Sequence, residues 1–148
     1  MKIIMNVNYY GSYRLSCKAV MRYAELKGIT IYAYIHPTKR CGGYDNNFLV
    51  PYSNEADEFV KNGAVYSTKQ FKRISWDSFH GKHKDFVFYS FDIKRTDKIL
   101  VKVVEELGKD ANGEFACLTV TEIPADVKYE ILSDGGTETI HEKHRSWS

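Results

Sequence analysis

The chain has 148 residues, of which 43% are hydrophobic and 27% charged, the composition of an ordinary soluble globular domain. Its 21 basic and 19 acidic residues leave a net charge of +2, which excludes a general charge-driven nucleic-acid binder but not a local basic patch. No apolar stretch is long enough to span a bilayer, and we expect no signal peptide. Cys17, Cys41 and Cys117 are isolated, so we expect a reducing, cytoplasmic location without disulfides or a cysteine metal site.

The first part of the chain predicts a strand, a helix and a second strand. Residues 2–7 are apolar and partly β-branched, which favours a strand. Ser16 is a good helix N-cap, and the Lys27-Gly28 pair is typical of a helix end. Residues 29–35 alternate apolar and polar side chains and predict the second strand.

The middle of the chain is less regular. Residues 36–52 are punctuated by proline, glycine and asparagine and predict a loop with one short extended piece at most. Residues 54–62 predict a short helix and residues 64–68 a strand. Residues 69–84 are polar and basic, and we return to them below as the basic aromatic stretch.

The second half predicts the strongest helix. The run DFVFYSFDI, residues 85–93, is nearly all apolar and predicts a buried strand. Thr96 is expected to cap a helix whose apolar stripe ends at Gly108. The remaining predicted elements are strands at 115–123 and 127–131, a turn at 134–136, and a last helix from Thr137 or Thr139 to His144.

These elements predict an α+β (mixed α/β) fold. With no repeat, linker or low-complexity segment, residues 1–148 are expected to form one domain. We expect a central mixed sheet with three to four helices packed against it.

The loop between the first strand and the first helix, residues 8–16, is the first candidate site. A helix N-terminus attracts anions, so Gly11 would allow close approach, Arg14 would pair with a phosphate, and Tyr10 would stack on a base. Neither phosphate-binding fingerprint, GxGxxG or GxxxxGK[ST], is present. The alternative is a structural turn whose tyrosines pack on the core.

The basic aromatic stretch, residues 69–84, is the second candidate. Five cations oppose the single acid Asp77, and three large aromatic residues are interleaved with them, which suits a polyanion that carries bases. The alternative is a solvated surface loop, the usual fate of a charge run. The cations are Lys69, Lys72, Arg73, Lys82 and Lys84, and the aromatics are Phe71, Trp76 and Phe79.

Histidines form the third candidate. His80 with His83, and His141 with His144, are spaced three apart, and two such pairs together could hold zinc. The HExxH motif and a completing cysteine or aspartate are lacking, so we predict no metal and no cofactor. No nucleophile elbow or Cys–His signature is present, and we expect a protein that is not an enzyme.

The tail is the last candidate. Arg145 and Trp147 lie at the chain end, where they can clamp onto the protein body, a neighbouring subunit or a ligand.

Three stretches of the sequence resemble a family of small bacteriophage proteins: MNVNYYGSYRLSCKAVMRYAELKGI, KRTDKILVKVVEELGKDANGEFACLTVTEIPADVKYEI and DGGTETIHEKHRSW. The family's opening loop carries two adjacent glycines, whereas here Gly11 is followed by Ser12. The resemblance implies a phage origin, a location in the host cytoplasm and a role against host defence. The chain is similar to one such group, Thoeris anti-defence protein 1. The proteins of this group are oligomeric sponges that sequester cyclic ADP-ribose-type signals and, in some members, cyclic oligonucleotides.

Together these features lead us to expect a non-catalytic binder that sequesters a cyclic nucleotide signal, within a homo-oligomer and without a membrane or long nucleic acid as partner. Two alternatives stay open: an inhibitor that docks on a host defence enzyme through residues 69–84, and a nucleic-acid enzyme that uses the histidine pairs. The expected ligand-binding residues are Tyr10, Gly11, Arg14, Ser16, Arg95, Asp97 (for ribose hydroxyls), Arg145 and Trp147.

Overall fold

A computed structural model describes residues 1–36, 48–54, 61 and 63–143. Within them the chain forms three α-helices and nine strands, so the predicted α+β class is confirmed. The helices are α1 (Cys17–Lys27), α2 (Trp76–His80) and α3 (Lys98–Leu107). The strands are β1 (Lys2–Asn6), β2 (Tyr32–Ile35), β3 (Phe48–Pro51), β4 (Val65–Ser67), β5 (Ile74–Ser75), β6 (Val87–Phe88), β7 (Leu118–Glu122), β8 (Tyr129–Asp134) and β9 (Thr137–Glu142).

The strands pair antiparallel in three groups, in place of the single mixed sheet that we expected. β1 pairs with β7, β8 pairs with β9, and the other five form a sheet in the order β5-β3-β2-β4-β6. In β1, Ile4 lies opposite Val120 of β7.

The five-stranded sheet separates two apolar clusters. Neighbouring residues of β2 point to opposite faces: Ala33 joins the main core with α1 and α3, and Tyr34 joins a smaller cluster with Phe79 of α2. The main core is built from Ile4, Val20, Ala24, Leu100, Val103 and Val104, among others.

Helix α1 begins and ends as its sequence predicts. The Ser16 hydroxyl accepts a hydrogen bond from the amide of Ala19 at 3.1 Å and donates one to the Asp110 carbonyl at 2.6 Å. Gly28 ends the helix in a left-handed conformation, with φ 78°, which glycine adopts without strain.

Helix α3 begins one residue later than predicted. Asp97, and not Thr96, is the N-cap, because its carboxylate accepts hydrogen bonds from the amides of Ile99 and Leu100 at 2.9 and 3.1 Å. A carboxylate at this position also interacts favourably with the positive end of the helix.

The buried strand predicted for residues 85–93 is wrong. Only β6 is extended, and 3₁₀ turns at Lys84–Phe86 and Ser90–Asp92 flank it. The apolar side chains of this run turn to different sides: Val87 packs on the smaller cluster, Phe88 on the main core, and Phe91 is 74% exposed. The prediction assumed that an apolar run is buried. Here the chain changes direction twice within the run, so its apolar side chains do not all enter one core.

The predicted last helix is also wrong, because residues 137–142 form β9. The register of β8 and β9 pairs Asp134 with Thr137, which leaves Gly135 and Gly136 as a two-residue turn. Both glycines have positive φ, 63° and 102°, as the tightest hairpin turns require. The glycine turn therefore favours a hairpin, and it outweighs the threonines that suggested a helix N-cap.

Other boundaries shift by a few residues. The second strand begins at Tyr32 and not at residue 29, and the strand predicted at 115–123 is β7. The short extended piece expected within 36–52 is β3. Most of the predicted helix at 54–62, together with residues 37–47 and 144–148, lies outside the described residues. In the described part of the chain, none of the helices has the length and apolar character needed to cross a bilayer.

Replacing the cap of α3 tests its position. We expect Asp97→Ala to lower the free energy of unfolding by about 1–2 kcal/mol, because two helix amides lose their acceptor. Thr96→Ala is the matched control and should change it by less than about 0.5 kcal/mol, measured by urea unfolding. Equal losses for both variants would contradict the assignment of Asp97 as the cap.

Candidate functional site

The opening loop leaves β1 through a buried asparagine. Asn6 is fully buried, and its side chain donates to the carbonyl of Gly136 at 2.7 Å and accepts from the amide of Cys117 at 2.9 Å. One side chain thus joins β1 to the β8–β9 turn and to the segment before β7. Because both ends of the amide are satisfied, its burial is compatible with a stable core.

Glycines allow three backbone segments to cross at this point: the opening loop at Gly11, the segment before β7 at Phe115 and the β8–β9 turn at Gly136. A Cβ atom on Gly11 would overlap the carbonyl oxygen of Phe115, and one on Gly136 would overlap the backbone of Gly11. Asn8 strengthens the crossing, because its side chain donates to the Phe115 carbonyl at 2.7 Å. Gly11 therefore serves close backbone contact within the protein.

A second link comes from a buried ion pair. The guanidinium of Arg95 donates to both carboxylate oxygens of Glu138, at 2.6 and 2.9 Å. The Glu138 side chain is only 9% exposed, and it also accepts the amide of Asn6 at 2.7 Å. The pair therefore ties the segment before α3 to β9 and to β1.

Tyr13 supports this ion pair from one side. The Cζ atom of Arg95 lies 3.8 Å from the centre of the Tyr13 ring, a cation–π contact. Burial raises the pKa of Tyr13 to about 12, against the opposing effect of the Arg95 charge, so the phenol is neutral at physiological pH.

An open pocket of about 480 Å³ lies at this crossing, and we call it the loop pocket. The opening loop, the segment before α3 and the β8–β9 hairpin supply its walls. Its lining residues are Gly11, Ser12, Tyr13, Phe91, Ile93, Arg95, Ser133, Gly136 and Glu138.

Four exposed aromatic residues lie on the crossing segments or in the pocket wall: Tyr9, Tyr10 and Phe115 on the former, and Phe91 in the latter. Tyr10 is 85% exposed and Phe115 70%, and both have left-handed backbones, with φ 66° and 60°. Bulky residues rarely adopt this conformation, and such strain is concentrated at functional sites. The aromatic faces shown to solvent here are therefore a candidate binding surface.

Seven of the eight sequence-predicted residues divide into three groups, and Arg14 is described separately below. Tyr10, Gly11 and Arg95 belong to the crossing or to the loop pocket. Ser16 and Asp97 are helix caps, and Asp97 also accepts a hydrogen bond from the Tyr23 hydroxyl at 3.2 Å. Arg145 and Trp147 lie outside the described residues, so their predicted role as a clamp stays a prediction.

Arg14, the predicted phosphate partner, points towards an acidic neighbour. Its guanidinium lies 3.9 Å from the Glu114 carboxylate, and its side chain is half exposed. A pair of that length at the surface is weak. Arg14 is not among the residues that line the loop pocket.

Sequence reasoning missed Asn6, Glu138, Phe91 and Phe115. Asn6 offered a signal, since a polar residue that ends an apolar strand has to find partners when it is buried. Glu138 was hidden by the predicted helix, and Phe91 by the predicted buried strand. Nothing in the sequence indicates the left-handed backbone of Phe115.

The basic aromatic stretch has regular structure where we considered a solvated loop, because it contains β5 and α2. Trp76 stacks on His36, with ring centres 5.4 Å apart, and on His80 at 4.1 Å. The Arg73 guanidinium lies 3.9 Å from the centre of the Phe48 ring. Cations and aromatic faces thus form one ordered surface.

The histidines do not form the arrangement that we considered for zinc. His80 packs on Trp76, whereas His83 packs on Phe71 at 5.0 Å between ring centres. His141 lies on a strand and contacts the hydroxyl of Thr139 at 2.9 Å, and His144 is outside the described residues. Within the described ranges, no three metal-ligating side chains are grouped closely enough to hold an ion.

A larger cavity, of about 860 Å³, lies along α1. Its described lining carries four cations, Lys18, Arg22, Lys61 and Lys109. Lys18 is paired with Asp110 at 3.3 Å and Arg22 with Glu25 at 3.1 Å.

Glu138→Gln tests the buried ion pair. A neutral amide cannot match both guanidinium hydrogen bonds and leaves the Arg95 charge unpaired, so we expect a loss of about 2–3 kcal/mol in the free energy of unfolding. Glu130→Gln, on the exposed side of the same hairpin, should cost less than about 0.5 kcal/mol. Urea unfolding of both variants gives the comparison, and a loss of similar size in the two would contradict a central role for the pair.

Phe115→Asn tests the backbone strain. Asparagine tolerates the left-handed conformation better than phenylalanine, and the exposed ring contributes little packing, so we expect the variant to be more stable by about 1 kcal/mol. Phe91→Asn is the control, because Phe91 is equally exposed but its φ is not positive. If both variants lose stability in thermal unfolding, the strain is absent.

Comparison with known proteins gives no relative. No family model, curated protein or solved structure matches the chain.

Proposed function

We propose that this protein binds a nucleotide signal at the loop pocket and sequesters it without breaking a bond. The single observation that carries the proposal is the exposed Phe91 ring in the pocket wall, together with exposed Tyr10 and Phe115 on the neighbouring crossing segments, where both have left-handed backbones. Every base offers a π-face, and stacking on an aromatic side chain contributes about 1–3 kcal/mol per base. Binding of this kind needs no nucleophile or general base.

The pocket suits part of a nucleotide in size and chemistry. Its volume of about 480 Å³ falls in the range of small-molecule sites, and it combines Phe91 with a few polar groups. Its walls come from segments fixed by Asn6 and by the Arg95–Glu138 pair, so the site is formed before the ligand arrives.

The sequence resemblance narrows the proposal. A protein similar to the phage family would act in the host cytoplasm against host defence, and its ligand would be a cyclic nucleotide immune signal, of the cyclic ADP-ribose type or a cyclic oligonucleotide. A sponge has to bind its signal tightly, and a homo-oligomer that brings Arg145 and Trp147 to the pocket would add contacts.

Calorimetry with cyclic ADP-ribose and a set of cyclic dinucleotides tests the proposal. We expect one of them to bind and to be recovered intact after the protein is denatured. Tyr10→Ala and Phe91→Ala should each weaken binding by about tenfold, as the loss of one stacking face predicts. Trp76→Ala, an exposed aromatic on another surface, is the control and should bind as the unmodified protein does.

Recovery of a cleaved product would contradict sequestration. Normal affinity in both Tyr10→Ala and Phe91→Ala would show that the loop pocket is not the site.

The ordered basic aromatic stretch favours a second function, inhibition of a host defence enzyme by direct docking. The surface presents Trp76 against the His36 and His80 rings and Arg73 over the Phe48 ring, and tryptophan and arginine are among the residues most enriched at binding hot spots. A partner enzyme that is captured by the protein and lost on Trp76→Ala combined with Arg73→Ala would support this function. Nucleotide binding without any such partner would favour sequestration of a nucleotide signal.

A further inference from the structure

The loop pocket has no free positive charge among the described residues that line it. Arg95 and Glu138 are the charged residues of that lining, and their charges neutralise each other through two hydrogen bonds of 2.6 and 2.9 Å. A phosphate that competed for Arg95 would leave the nearly buried Glu138 carboxylate with one partner fewer, which is costly.

Two backbone amides of the opening loop are also used within the protein. The amide of Tyr10 donates to the carbonyl of Gly135, and the amide of Gly11 donates to the carbonyl of Asn8. Phosphate-binding loops use free backbone N–H groups that point at the anion. The Tyr10 and Gly11 amides are therefore not free to bind an anion.

The lining does offer flat, uncharged surface. Phe91 is 74% exposed at the pocket, and the charges of Arg95 and Glu138 neutralise each other, with the flat guanidinium of Arg95 3.8 Å from the centre of the Tyr13 ring. A planar aromatic ring of low charge matches these surfaces by stacking, whereas a tetrahedral, doubly charged phosphate does not.

We propose that the loop pocket recognises the base of its ligand and not the phosphate, which stays in solvent outside the pocket. This inference rests on the proposed function and names the part of the ligand that carries affinity. It replaces the phosphate-pairing role that the sequence suggested for the opening loop. It also predicts a binding constant that depends little on salt, because few ions are released when an uncharged ring binds.

Ligand-observed NMR titration of the whole protein, a method suited to weak binding, tests the inference. The probes are adenosine, guanosine, cytidine and uridine, their 5′-monophosphates, and ribose 5-phosphate. We expect at least one nucleoside to bind within about threefold of its monophosphate, and ribose 5-phosphate not to compete with it. Raising the salt from about 50 to about 500 mM should change the affinity by less than about threefold.

Two variants connect this result to the pocket. Phe91→Ala should weaken nucleoside and nucleotide by the same factor of about ten, because the lost face stacks on the base of both. Phe86→Ala removes an exposed ring that does not line the loop pocket and should weaken neither.

The possible failures are distinguishable. A monophosphate that binds more than about tenfold tighter than its nucleoside, with a steep salt dependence, would overturn base recognition while leaving nucleotide binding intact. Competition by ribose 5-phosphate would do the same. If no nucleoside, nucleotide or cyclic nucleotide binds at all, the proposed function fails and this inference fails with it.

Discussion

The arrangement of the candidate site depends on the carboxylate of Glu138. This side chain lies nearly out of solvent, and its two oxygens accept three N–H groups, two from Arg95 and one from Asn6. These donors belong to different parts of the chain, the segment before α3 and the end of β1. The β8–β9 hairpin is therefore held against β1 at one fixed position, since any shift would leave a buried charge without partners.

The other features of the site follow from that position. With the hairpin fixed, its glycine turn crosses the opening loop at Gly11 and Gly136, where side chains have no room. On the crossing segments, Tyr10 of the opening loop and Phe115 of the segment before β7 are exposed to solvent and have left-handed backbones. Polar groups are used to build the crossing, and aromatic faces remain for a ligand. This division of roles is why we assign stacking, and not phosphate binding, to the loop pocket.

Local signals predicted much of the fold. The cap at Ser16, the stop at Gly28 and the apolar stripe of α3 depend on neighbours in the sequence, and each is confirmed. The predictions for the run DFVFYSFDI and for the segment after Gly136 were wrong for a common reason. Whether an apolar residue is buried, and whether an alternating segment pairs as a strand, depends on distant parts of the chain.

Of the residues expected to bind a ligand, Tyr10, Gly11 and Arg95 lie at the crossing or line the loop pocket. Glu138, the partner that determines the role of Arg95 in the structure, lies 43 residues further along the chain. No spacing rule connects two such residues, so Arg95 was taken for a free cation. The same limit applies to Asn6, whose partners lie 111 and 130 residues away.

The central claim is that the ligand site lies where the opening loop crosses the hairpin turn. Amide chemical-shift mapping of the labelled protein, titrated with the nucleoside that binds best, tests it most directly. We predict that the shifted amides fall within residues 9–13, 91–95, 115 and 133–138. Shifts confined to the basic aromatic stretch, residues 69–84, or spread along α1 would contradict the claim.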